Sequence, residues 1–73
     1  MMYVVMADTQ KKEHYIEYLS DREYDIAVNE EKPTRIMQSV FSTFKEAEKE
    51  AKRISKTSFV SGWSYNKERN KNQ

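Results

Sequence analysis

Glu13-His14-Tyr15-Ile16-Glu17-Tyr18-Leu19-Ser20-Asp21-Arg22-Glu23-Tyr24-Asp25-Ile26-Ala27-Val28 is the stretch on which the fold turns. His14, Ile16 and Tyr18 alternate with Tyr15, Glu17 and Leu19. Beyond the polar link Ser20-Asp21-Arg22, Tyr24, Ile26 and Val28 alternate with Glu23, Asp25 and Ala27. A period of two belongs to a strand with one buried face. Two such runs across a short link predict a hairpin, although no Asn-Gly or Asp-Gly marks its turn. A slip of one residue would turn every side chain over, so the faces set the register. Placing Tyr18 opposite Tyr24, Ile16 opposite Ile26 and His14 opposite Val28 gathers the apolar side chains on one side. The same register sets Glu17 against Asp25, and like charges across a ladder disfavour pairing. Stability alone does not account for such a pair.

Working outward, Met2-Tyr3-Val4-Val5-Met6-Ala7 is apolar on both alternating faces, as an interior strand requires. Asp8 to Lys12 is a polar connection, Asn29 to Pro33 a turn, and Thr34 to Phe41 a fourth strand. Thr43-x-x-Glu46 has the spacing of a capping box and starts a helix. Phe44, Ala47, Ala51 and Ile54 then form an apolar stripe, with Lys45, Lys49, Lys52 and Lys56 on the opposite one. Phe59 to Tyr65 reads as a last strand, with Gly62 at a bulge or a close approach, and Asn66 to Gln73 as a polar tail without fixed structure. The expected fold is α+β: a small antiparallel sheet in the order ββββαβ with one amphipathic helix on one face. Residues 1–65 form its single domain and 66–73 its tail.

The 73 residues carry a net charge of +1, but that sum hides a division. Residues 1–31 hold eight acids against three bases, and residues 32–73 ten bases against four acids. Surfaces of opposite sign attract partners of opposite sign. The chain has no cysteine, one histidine and one glycine. This excludes a disulfide framework, a thiolate metal site and a glycine-rich phosphate loop. No run approaches the ~20 apolar residues of a membrane span. A non-catalytic, cofactor-free, metal-free domain in the cytoplasm is the expectation, with His14 as a packed side chain facing the core.

Two surfaces compete for a function. Tyr15, Glu17, Leu19, Asp21, Glu23 and Asp25 form an acidic, partly apolar hairpin surface suited to a basic groove on a protein partner. Lys45, Lys49, Lys52 and Lys56, extended by Lys67 and Arg69 and by the stacking surface of Trp63, would suit the phosphates and bases of a nucleic acid. A homodimer formed through an exposed edge strand is compatible with either.

Met2 to Asp8, Glu13 to Leu19 and the block Phe41-Ser42-Thr43-Phe44-Lys45-Glu46-Ala47 resemble small uncharacterised proteins of staphylococcal and related Gram-positive bacteriophages, over about residues 2–56. The resemblance implies a protein of the host bacterial cytoplasm that binds, and inhibits, a host protein in takeover or counter-defence. A nucleic-acid-handling or CRISPR-type protein is an example of such a target. The family lends no site residues.

Overall fold

The computed structural model describes residues 2–30, 35–57 and 63–70. Strands β1 (Met2–Asp8) and β2 (Glu13–Leu19) form the true hairpin, antiparallel, with Tyr3 opposite Tyr18, Val5 opposite Ile16 and Ala7 opposite His14. Its connection is an Asx turn: Asp8 Oδ1 accepts from the backbone N–H of Gln10 at 2.9 Å and of Lys11 at 3.0 Å. Lys12 closes it at a φ of 57°, the left-handed region that costs a side-chain-bearing residue strain. Helix α1 (Asp21–Asn29), strand β3 (Arg35–Phe41), helix α2 (Phe44–Thr57), the short strand β4 (Ser64–Tyr65) and a 3-10 turn (Lys67–Arg69) follow.

The sheet order is β3-β1-β2-β4. The doubly apolar β1 is therefore interior, and Val4 and Val5 are both fully buried, one on each face. β2 and β3 both pair antiparallel with β1, so they run in the same direction. The chain passes from β2 to β3 through α1 and returns from β3 to β4 through α2. These crossovers travel in opposite directions across the sheet. Crossovers between parallel strands are overwhelmingly right-handed, and one hand with two directions puts the helices on opposite faces. Their contacts agree. Ala47, Ala51 and Ile54 of α2 pack with Val5 and Ile16, whereas Tyr24 of α1 packs against Val4, Met6 and Tyr15.

The α+β class stands, with a different order: ββαβαβ, two helices and a mixed sheet. The expected second hairpin strand, Glu23 to Val28, is helix α1. Glu17 lies opposite Val4, not Asp25, and Tyr18 and Ile16 take partners from β1. The cause is local. Ser20 is an N-cap whose hydroxyl accepts from Glu23 N–H at 3.2 Å, while the Glu23 carboxylate accepts from Ser20 N–H at 2.9 Å. That reciprocal box starts a helix despite the strand-like alternation behind it.

The last strand also differs. Its described part, Ser64–Tyr65, runs parallel to β2, beside Glu13 and His14. Phe59 to Gly62, including the bulge expected at Gly62, lie outside the described residues, as do Glu31 to Thr34. Asn66 to Asn70, expected as loose tail, are instead fastened along the outer edge of β2. Asn66 N–H donates to His14 C=O at 2.9 Å and Ile16 N–H donates to Asn70 Oδ1 at 2.7 Å. Residues 71–73 lie outside the described region.

Candidate functional site

The acidic surface exists on a different scaffold from the one its alternation suggests. Tyr15 is only 2% exposed and lies in the core beneath the Arg69 guanidinium, 4.3 Å from its ring centroid. Leu19 packs against the Val4–Met6–Tyr15 cluster, and Glu17 is half-buried on β2. These three expected contact residues are thus part of the sheet. Asp21, Glu23 and Asp25 are exposed on α1.

α1 carries three carboxylates and one guanidinium, and none of its residues is buried. It touches the sheet through half-buried Tyr24 and Ala27, three residues apart on one face. Ile26 and Val28 remain 52% and 51% exposed. The Ser20 bonds hold the Glu23 carboxyl below the ordinary glutamate range. The outcome is an acidic helix laid on the sheet with aliphatic side chains in solvent.

α2 presents the other sign on the opposite face of the sheet. Lys45, Lys49, Lys52 and Lys56 are all exposed. Lys45, Lys49 and Lys52 border one shallow depression together with Glu48. Acids dilute this ridge: Lys52 lies 3.9 Å from Glu48, and Arg53 makes a two-point contact with Glu50 at 2.6 and 2.8 Å. Thr43 caps the helix, accepting from Glu46 N–H at 3.2 Å.

The expected extension of this ridge is partly committed elsewhere. Lys67 is exposed, but Arg69 bridges Asp8 at 3.0 Å and Glu13 at 2.9 Å. Lys11 N–H and Arg69 together hold the Asp8 carboxyl low, and Arg69 and Asn66 do the same for Glu13. Arg69 therefore clamps the C-terminal segment to the first hairpin, so it belongs to the fold more than to a ligand surface. The spacing of Asp8, Glu13 and Arg69 along the chain gave no sign of this.

Trp63 is half-buried and its ring lies 5.4 Å from that of His14. His14 is fully buried, and among the described residues neither ring nitrogen has a hydrogen-bond partner. Burial pushes its pKa down; the Met6 backbone oxygen opposes this without forming a bond of good geometry. The ring is thus neutral and closed to solvent. Beside Trp63 an open hollow of about 410 Å³ is bordered by Ala7, Ile36, Met37 and Gln38.

Among the described residues no group of three His, Cys, Asp or Glu side chains is placed to hold a metal ion. No helix among them is long and apolar enough to cross a membrane. Comparison of the chain with protein-family models, with curated proteins and with solved structures gives no match.

Proposed function

We propose that the protein is a non-catalytic interaction module that captures a protein partner through α1. The reading rests on one observation: a helix with no buried residue carries two half-exposed aliphatic side chains among exposed carboxylates. A nine-residue helix is marginal in water unless packing or a partner holds it. Helix-in-groove recognition uses such an arrangement, with aliphatic anchors for affinity and charges for orientation and on-rate. The partner's groove would be apolar at its floor and basic at its rim. Such a partner fits the host-protein target, and the inhibitory role in the bacterial cytoplasm, that the resemblance to phage proteins implies.

The test is capture from host lysate with paired variants. Ile26→Lys and Asp25→Lys should each abolish capture of a specific protein while the circular dichroism spectrum stays unchanged. Glu23 is spared because reversing it would remove the cap. Retention of the partner by both variants would refute the reading. Loss of binding only when Lys45, Lys49, Lys52 and Lys56 are reversed would transfer the function to the basic ridge. Nucleic-acid binding at ~50 mM salt, with quenching of Trp63, would then be expected.

A further inference from the structure

The two edges of the sheet are treated differently. The outer edge of β2 is sealed by Ser64 to Asn70. Among the described residues nothing pairs with the outer edge of β3. Edge strands of soluble proteins are ordinarily blunted by lysine, proline or inward charge. Of β3's residues only the first, half-buried Arg35, is charged; residues 36–41, Ile-Met-Gln-Ser-Val-Phe, contain no lysine, proline or charge in a chain that is 34% charged. Ile36 and Val40 on this edge are 50% and 44% exposed.

The phase of the ladder follows from the sealed edge. Lys12, His14 and Ile16 turn their polar backbone groups outward, toward the C-terminal segment. An antiparallel residue directs both groups to the same side, so the odd-numbered residues of β2 bond to Met2, Val4, Met6 and Asp8. Tyr3, Val5 and Ala7 are left for β3, where they face Phe41, Ser39 and Ile36. Val40, between two such positions, therefore presents its N–H and C=O to the empty side.

A bulge opposite Val5 and Met6 settles which register a new strand could take. Ile36, Ser39 and Phe41 face α2, whereas Arg35, Met37 and Val40 face α1's side. Pairing Ile36 with Val40 of a second β3 would oppose residues of different faces. Pairing Ile36 with Phe41 keeps every face, sets the bulge of each strand opposite Val40 of the other, and puts Ser39 opposite Ser39. We propose that β3 pairs antiparallel with the β3 of a second copy, about a twofold axis at Ser39, giving a continuous eight-stranded sheet. Ile36 then covers Phe41, and Val40 covers the Met37–Gln38 bulge.

Charge supports this occupant. The flank of α2 above β3 reads Glu46, Lys49, Glu50, Arg53, and with Phe41 these residues border a shallow depression. The twofold axis runs the two α2 helices in opposite directions, so the Glu46 end of one faces the Arg53 end of the other. A single strand pair is smaller than the ~800 Å² per partner of a standard interface, which makes the dimer weak and concentration-dependent.

Sedimentation equilibrium of the full chain from micromolar to near-millimolar concentration tests the proposal. The expected result is a rise from the monomer toward twice its mass. Val40→Lys should weaken association by at least about tenfold, which is ~1.4 kcal/mol, and circular dichroism should show the fold retained. In this cysteine-free chain, Ser39→Cys should form a disulfide-linked dimer on mild oxidation, and Asp25→Cys should not. Facing residues of a non-hydrogen-bonded antiparallel pair have Cα atoms ~4.5 Å apart, within disulfide reach. A monomeric mass at every concentration would overturn the proposal. So would a dimer that ignores Val40→Lys and leaves Ser39→Cys unlinked.

Discussion

α1 and α2 start in nearly the same way and end up held very differently. Each is introduced by a hydroxyl residue with a glutamate three positions on, Ser20 with Glu23 and Thr43 with Glu46, and in each the hydroxyl accepts the glutamate N–H at 3.2 Å. α2 then repeats small and apolar residues at helical spacing, and Ala47, Ala51 and Ile54 enter the core. The alanines let the backbone approach the sheet above Val5 and Ile16. α1 has only Tyr24 and Ala27 on its inner face, and leaves Ile26 and Val28 in water. A cap decides where a helix begins, whereas an apolar stripe decides how firmly it is held. One helix is built into the core, and the other leaves Ile26 and Val28 exposed, the feature on which the proposed partner contact rests.

The largest effect that could break this contrast comes from truncating the inner residues. Ile54 is 6% exposed, so Ile54→Ala is expected to cost about 2–4 kcal/mol in chemical denaturation. For a domain of this size that is a large part of the total stability. Tyr24→Ala removes a side chain that is only half-buried and should cost about half as much. Equal costs would mean that α1 is as much a core element as α2.

The caps give a smaller and more local effect. Ser20→Ala should cost about 1 kcal/mol. The loss should appear first as faster amide hydrogen exchange in Asp21–Asn29, with the global unfolding midpoint little moved. Thr43→Ala, of similar size, should move the global midpoint, because α2 unfolds with the sheet. If Ser20→Ala shifts the global midpoint equally, α1 and α2 belong to one cooperative unit.

The same contrast explains what could be read from the residues alone. Met2 to Ala7, apolar on both faces, was legible as an interior strand, and Phe44, Ala47, Ala51 and Ile54 were legible as a buried stripe. In both, periodicity and burial agree. In Glu23 to Val28 they part company. Tyr24, Ile26 and Val28 alternate like a strand, but Ile26 and Val28 are not buried, so their spacing carries no information about the core. The Ser20-x-x-Glu23 box was the available signal, and it has the same form as the Thr43 box. An outward position for Tyr15 and Leu19 follows only if β2 pairs with Glu23 to Val28. With β1 as partner and α1 above, that side of β2 is covered. The Arg69 clamp joins residues 61 and 56 positions apart, a separation no local pattern encodes.

Acidity should separate the two sides of the sheet at different points, and this is the smallest effect of the series. On α1's side the Glu23 carboxyl lies below its ordinary value of 4.5 because Ser20 donates to it. A lowered carboxylate contributes stability above its unfolded value, and that contribution is lost as pH falls through its folded one. On α2's side His14 lies below its ordinary 6.5 because it is buried. Its neutral ring contributes fully above 6.5, and that contribution is lost as pH falls beneath this value, since the unfolded chain takes up the proton first. Between pH 7 and 5.5 the urea midpoint of the whole domain should therefore fall, with the Trp63 ring reporting the change by fluorescence. His14→Phe, which keeps a ring under Trp63, should flatten that dependence. The α1 amides should lose exchange protection as a separate event only near pH 4 and below. A flat midpoint in the wild-type protein from pH 7 to 5.5 would mean that His14 is solvated, and that Trp63 does not close over it.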